Sequence, residues 1–492
     1  MRSAAKTHTG LSQLMHSRPV LLFAFAFAAM ADPVSSVAYA IEAALRALNG
    51  DLALLLPTMG LVVAIVVLVI VNYHQLVARY PQGGGAAAAT GEAFGEDMAF
   101  VPIGALIVDF VLTIAISSAA GASAIIAFVP ALAPWRVPIA LLLVVAVASG
   151  TWFGHVGRTV FAVMTVAFIV LAVAVLGFGL FAQPHPSGVT SADPGHSPVL
   201  AVALTFPVAM ALATGIEAPS SAIAQLGQLD DPGRRRFGQV TLWLTLGVVG
   251  TITLGLTAQS VWLGIGVPHE DTTQIAELAR AVAPAPVFGA FQAMTALLLL
   301  SAASSSFQAG PGLLKALASQ RHASVASTGI LPSRLGRINV HHTPYWGVVV
   351  FLLASEAVIT AAGGRDQELV LFYAASVFVS YLSGLIAMSR FSLRERRTGL
   401  FVVNLVGALA VGFTLAVTSP GAARSSPLAL RCSSRWCCTA CGLGRGVRGE
   451  SGTSPPTPRR SRSRDSAGCH SDDVTDPVRS DSTGRRLASD LS

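Results

Sequence analysis

Long stretches of this chain carry no charge at all, as from Val137 to Gly154 and from Val160 to Pro184. Each is long enough to cross a hydrocarbon layer of ~30 Å as a single helix. Charged residues make up only 12% of the 492 positions, against about 25% in soluble domains, and the mean hydropathy is +0.64. A chain so poor in charge cannot wet its own surface. A soluble enzyme, a disordered protein and a nucleic-acid binder are thereby excluded, and the chain reads as a polytopic membrane protein.

The apolar runs predict eleven spans, at about 18–48, 52–77, 99–129, 134–153, 156–182, 199–227, 238–266, 276–309, 344–362, 366–389 and 399–418. The first imitates a signal peptide, with Arg18 ahead of an apolar stretch and Ala38-Tyr39-Ala40 like a cleavage site. It continues past that point to full span length, so it is read as a helix. With residues 1–17 placed in the cytoplasm, inner loops hold sixteen Lys or Arg residues and outer loops only Arg46, Arg136, Arg280 and Arg365. This bias predicts a cytoplasmic N-terminus in the cell membrane.

The net charge of +7 divides unevenly. Residues 1–418 hold 20 Lys or Arg and 18 acids, whereas residues 419–492 hold 12 Arg and 7 acids. All five cysteines, Cys432, Cys437, Cys438, Cys441 and Cys469, also fall in this last segment. The body therefore has no thiol for a disulfide or a zinc site. The segment 419–492 is rich in Arg, Ser, Gly and Pro and lacks any periodic apolar pattern, so it is expected to be disordered. It also has the composition of a shifted frame in GC-rich DNA, and an aberrant end replacing a twelfth helix is the other expectation.

Two spans contain the same polar interruption. Ala31-Asp32-Pro33-Val34-Ser35-Ser36 lies in span one, and Gly215-Ile216-Glu217-Ala218-Pro219-Ser220-Ser221 in span six. Proline removes a backbone donor and blocks the preceding turn, so breaks are expected at Pro33, Ser35 and Ser36 and at Pro219, Ser220 and Ser221. Broken backbone at mid-membrane is tolerated where it lines a cavity or is packed in protein. Paired interrupted helices five spans apart predict two inverted five-helix repeats with a substrate site between them. The fold class expected is an all-α membrane protein with discontinuous first and sixth helices.

A carboxylate at the bilayer centre costs at least ~2.5 kcal/mol on insertion scales, so acids there call for a partner or cavity. Asp32, Ser36 and Tyr39 share a helical face, as do Asp109, Thr113 and Ser117, and Thr214, Glu217 and Ser221. Tyr373 lies among apolar residues near the start of span ten. Acids ringed by hydroxyls, without thiols or clustered histidines, suit a hard cation or a proton. Structural polar pairing of the acids and back-bonding of the hydroxyls to their own helices are the alternatives. Glu42 and Glu356 are left as entrance or packing groups, and Ser301 and Ser304 to Ser306 read mainly as helix packing. His341-His342 and the tail cysteines are not read as metal ligands, and Gly83-Gly84-Gly85 has no phosphate-loop sequel.

Asp32-Pro33-Val34-Ser35-Ser36-Val37-Ala38-Tyr39, Tyr80-Pro81-Gln82-Gly83-Gly84-Gly85 and Val108-Asp109-Phe110-Val111-Leu112-Thr113 resemble KimA-type members of the KUP potassium–proton symporters. These belong to the amino acid–polyamine–organocation superfamily. Thr214-Gly215-Ile216-Glu217-Ala218 and Ser306-Phe307, followed by Gly329-Ile330-Leu331-Pro332, extend the resemblance over about residues 20–418. It implies a twelve-helix core that imports potassium with protons. It also implies potassium coordination or proton coupling by Asp32, Tyr39, Asp109, Thr113, Ser117, Thr214, Glu217 and Tyr373. The family's twelfth helix and its cyclic-dinucleotide-binding domain have no counterpart after residue 418.

The expected partners are K+, H+, the lipid bilayer and a second copy in a homodimer, with no nucleic acid, no enzyme activity and no cofactor. An amino acid permease of the same superfamily and a non-transporting truncated product are the alternatives. If the tail arises from a shifted frame, one of the other two frames of its coding DNA should encode an apolar stretch of about 20 residues. Translating that DNA in all frames checks this, and two polar frames would leave an ordinary disordered tail.

Overall fold

The computed structural model describes residues 18–153, 158–191, 197–226, 229–318, 331–341 and 343–425. The N-terminal segment 1–17, His342 and the tail from residue 426 with all its cysteines lie outside them. Among the described residues the only regular elements are helices, with two isolated bridges, Ser187 with Ile265 and Val189 with Val267.

The helices run in order as α1 (Arg18–Ala29), α2 (Ala31–Ser35), α3 (Val37–Ala47), α4 (Leu52–Arg79), α5 (Gly85–Phe94), α6 (Glu96–Phe128), α7 (Arg136–Phe153) and α8 (Arg158–Gly179). They continue as α9 (Pro198–Ala209), α10 (Ala218–Ala222), α11 (Asp231–Leu263), α12 (Gln274–Val282), α13 (Ala285–Ala318), α14 (Tyr345–Ala361), α15 (Asp366–Arg394) and α16 (Thr398–Ser425). Among the described residues nine helical stretches are long and apolar enough to cross a membrane, and Val20–Ala29 and Tyr345–Ala361 are shorter apolar helices. The protein is a multi-pass, all-helical membrane protein.

Local chemistry sets many of the ends. Asp51, Asp230 and Thr273 each accept a backbone N–H of the first turn through the side chain, which satisfies donors that the helix itself leaves free. Gly264 ends α11 in the left-handed conformation (φ +74°), where a Cβ is unfavourable.

The ends of the bundle differ in charge and in partners. At one end Arg79 bonds Glu92 (2.7 Å) and Glu395 (2.7 Å), while Arg234 bonds Gln82 (2.7 Å). The Glu92 carboxyl is held below its ordinary range chiefly by the Arg79 hydrogen bond and then by that of Tyr80. This contact is therefore intact at neutral pH and weakens only as acid protonates Glu92. At the opposite end three of the four arginines expected there gather around one loop. Arg46 donates to the Pro268 carbonyl (3.0 Å), Arg136 to the Glu270 carbonyl and Arg365 to the Glu270 carboxylate (2.9 Å). Arg280 donates to the Ala127 carbonyl (2.6 Å).

Small residues let the helices approach where lipid offers no hydrophobic drive. A Cβ on Gly310 would meet the Phe351 ring at 2.5 Å, and one on Gly347 would meet Pro311 Cβ at 2.7 Å and Cα at 2.9 Å. The second neighbour is ring and backbone, which cannot swing aside. Gly347→Ala is expected to cost about 1–3 kcal/mol through overpacking, seen as a lower melting temperature of the detergent-solubilised protein. Gly312→Ala, which meets nothing within 4 Å, should leave that temperature unchanged.

Candidate functional site

The two interrupted segments lie directly against each other. The first is a shallow break. Met30 (φ −86°, ψ 0°) and Ser36 (φ −64°, ψ −21°) stay in the right-handed region while dividing α1, α2 and α3. Pro33 supplies no N–H to the turn, and Ser35 and Ser36 hydroxyls donate to the carbonyls of Asp32 and Pro33, both at 2.7 Å. The second break is deeper. After the tight turn Met210–Ala213, Thr214 is extended (φ −53°, ψ 136°) and Gly215 adopts φ +74° before α10 begins.

The unwinding therefore spans Thr214 to Glu217 and not Pro219 to Ser221, which form the first turn of α10. The physical reason is that proline is suited to the opening turn of a helix, where its missing N–H has no partner to lose. Ser220 is buried and donates to the Glu217 carbonyl (2.7 Å). Ser221 is exposed and its carbonyl lies beside Gly83, so it does not join Thr214 and Glu217 as a third polar residue of the site.

Gly215 makes the close approach of the two segments. A Cβ there would lie 2.8 Å from Asp32 Cβ, Asp32 Cγ and Pro33 Cδ. Ser36 Oγ donates across to the Leu212 carbonyl (3.1 Å), and the Tyr39 hydroxyl bonds Thr214 Oγ1 (3.4 Å). Asp32 Oδ1 is buried with no hydrogen-bond partner, and the carboxyl interacts electrostatically with Glu217. Glu217 Oε2 accepts from the Tyr381 hydroxyl (2.8 Å), which also bonds the Ala213 carbonyl.

Asp109, Thr113 and Ser117 line one face of α6 and are all buried. Asp109 joins the pair through aromatic intermediaries. Tyr39 lies in the field of both Asp32 and Asp109, and Tyr73 in that of both Glu217 and Asp109. The Tyr73 and Tyr381 rings meet edge to face at 5.6 Å between centroids. Ser117 Oγ is buried without a hydrogen-bond partner. Among the described residues no group of three or more His, Cys, Asp or Glu side chains is arranged to hold a metal ion. Asp32 and Glu217 interact directly with each other, while Asp109 shares Tyr39 with Asp32 and Tyr73 with Glu217.

Tyr373 lies on α15, with its side chain outside the described residues. Tyr381, two turns further on, was not singled out by the sequence reading. Its placement beside Ser380 and Ser383 within an apolar run is the signal that marks it. Ser301 and Ser305 donate to carbonyls one turn back on α13, as packing hydroxyls do. Glu42 accepts from Arg46 (2.8 Å) and from the Gln274 backbone N–H (2.9 Å), which ties α3 to α12 near the second end of the bundle. Glu356 sits half-buried on α14.

Helices interrupted by acids and hydroxyls at the centre of an apolar bundle are a transporter's architecture, and a model of the amino acid permease family matches residues 20–429. The chain belongs to that family. A curated relative, the potassium transporter KimA of Bacillus subtilis (strain 168), is 28% identical over 397 residues, covering 77% of this chain. The matched region is 63% of that relative's length. Among solved structures, a mutant of the Eremococcus coleocola manganese transporter has a TM-score of 0.48 at 15% identity, covering 88% of this chain and 95% of that one. The same transporter with an aromatic bis-isothiourea substituted compound gives a TM-score of 0.47 at 13% identity, with the same coverage.

Gly215 is the residue on which the site's geometry turns. Gly215→Ala adds a Cβ against backbone-anchored neighbours at a left-handed φ, which is expected to cost about 1–3 kcal/mol. A thermal melt of the purified variant checks this. A melt equal to that of the parent would show that the two breaks can separate without cost.

Proposed function

We propose that the chain is a secondary transporter that imports potassium coupled to protons. The observation that carries this reading is the Asp32 carboxylate, set in the first break with a buried oxygen lacking any partner and opposed by Glu217. Two neighbouring carboxylates in a medium of low dielectric repel each other, and a bound cation or a shared proton relieves the repulsion. Either ligand stabilises the same pair, so K+ and H+ compete or alternate there. The Tyr39–Thr214 and Tyr381–Glu217 bonds supply hydroxyl oxygens that replace part of the hydration shell of the ion.

In this reading Asp32, Tyr39, Thr214 and Glu217 hold the ion, and Asp109, Thr113, Ser117 and Tyr373 serve the proton or the approach to the pair. Two inverted five-helix repeats rock about the crossed breaks, and the arginine-rich end of the bundle faces the cytoplasm with the N-terminus. The membrane potential then contributes ~2.3 kcal/mol per charge per 100 mV towards entry of K+ into the cell. The name of the relative in Bacillus subtilis agrees with a potassium substrate. The segment 419–492 and a homodimer form no part of the ion path proposed.

The family description favours a second reading, an amino acid carrier. Such a carrier would hold the substrate carboxylate on free backbone N–H groups at the first break. Asp32 occupies that position and would repel it.

Expression in a strain lacking potassium uptake discriminates the readings. The chain is expected to restore growth at low potassium and to take up rubidium faster at lower external pH. Asp32→Asn and Tyr381→Phe should each lower uptake about tenfold or more, the scale of a lost hydrogen bond or charge contact at a charged group. Uptake of amino acids without rubidium would overturn the proposal in favour of the permease, and uptake of neither would identify a non-transporting product.

A further inference from the structure

Away from the crossed breaks, a cavity of about 560 Å³ opens at the arginine-rich end of the bundle, between α4, α11, α15 and α16. Its walls bring together Arg79, Arg235 and Arg397 with a single acid, Glu395. Glu395 is already shared, since it bonds Arg79 at 2.7 Å and Arg397 at 3.4 Å. Arg235 is exposed and makes no ion pair among the described residues. With Glu92 also bonded to Arg79 (2.7 Å), the local excess is one positive charge, and Arg235 is the arginine without an acid partner among the described residues.

Two polar lining residues, Gln75 and Ser392, are tied to the buried Asn404 behind the wall. Gln75 and Asn404 exchange amide hydrogen bonds at 3.1 and 3.0 Å, and Asn404 also reaches Ser392 (3.4 Å) and Asn72 (3.1 Å). On the rim, Trp243 Nε1 donates to His74 Nδ1 (3.1 Å). Trp Nε1–H is donor only, so this His nitrogen is the acceptor in that bond. The Arg79 guanidinium lies 3.9 Å above the Phe391 ring, which holds its fork in place.

The surroundings select the anion. Exposed apolar side chains lie on the same two spans: Val240 and Leu244 on α11, next in sequence to the lining residue Trp243, and Val402 and Leu405 on α16, beyond the lining residue Leu400. Trp243 stands between basic and apolar surface, as aromatic side chains do at a headgroup boundary. A free inorganic anion would use the arginines and leave this apolar wall bare. A lipid would use both.

We propose that this cavity is a binding site for the phosphate headgroup of an anionic phospholipid, with Arg235 and Arg397 holding the phosphate and the acyl chains lying along α11 and α16. Basic pockets between spans on the positively charged side recognise such headgroups. The site is separate from the ion path and does not depend on which substrate is carried.

Native mass spectrometry of the delipidated full chain titrated with phosphatidylglycerol or phosphatidylcholine tests it. The phosphatidylglycerol adduct is expected to dominate. The double variant Arg235→Gln/Arg397→Gln should weaken it about thirtyfold, and Arg235→Gln alone about fivefold, at the usual worth of one basic residue near a membrane surface. Arg235→Lys/Arg397→Lys should restore most of the affinity. Arg235→Gln, at an exposed and unpaired position, keeps the test valid should the double variant fail to fold. Equal binding of both lipids, indifference to Arg235→Gln, or displacement of phosphatidylglycerol by equimolar inorganic phosphate would each overturn the proposal.

Discussion

The closeness of two interrupted segments underlies the rest of this structure. Gly215, at φ +74° and without a Cβ, allows the unwound part of the second segment to lie against Asp32 and Pro33 of the first. The Ser36 hydroxyl then reaches the Leu212 carbonyl, and Tyr39 reaches Thr214. Backbone freed by each break finds its partner in the other segment or in nearby serine hydroxyls. Without these crossed bonds, broken helix in a bilayer would leave polar groups unsatisfied at several kcal/mol each.

From that contact the electrostatics follow. Bringing the breaks together sets Asp32 and Glu217 within each other's field, and Tyr39 and Tyr73 each lie in the field of Asp109 and of one member of that pair. Tyr381 is central here, since it holds Glu217, the Ala213 carbonyl and the edge of Tyr73 at once. A charged pair at such depth is costly to maintain.

The site was legible in unequal parts. Asp32, Asp109 and Glu217 stand out in sequence because carboxylates within apolar runs demand an explanation, and the spacing of Asp109 with Thr113 follows from helical periodicity, whereas Thr214 and Glu217 lie on unwound backbone. The location of the second break was not legible from its proline. Pro219 marks where α10 starts, and the unwound residues precede it, because proline tolerates a helix opening better than a helix interior. Ser221 shared a face with Glu217 only on the assumption of a regular helix, and the break rotates it out to an exposed position. Tyr381 escaped notice because an isolated tyrosine in an apolar span has many structural uses, and its partner lies 164 positions away in the chain.

The sequence by itself determined that this is an all-helical membrane protein, roughly where most of its spans fall, and which end gathers basic residues, although the expected span 276–309 is a short helix Gln274–Val282 followed by a span from Ala285 to Ala318. These are properties of local composition and period, and the bilayer enforces them on any chain of this pattern. Only the tertiary structure decided which oxygens meet. The pairing of Asp32 with Glu217 and the sharing of Tyr39 and Tyr73 with Asp109 depend on how helices distant in the chain cross. So does the assembly of Arg79, Arg235 and Arg397 around one cavity. Crossing is set by where a missing Cβ permits contact, and that cannot be read from any single span.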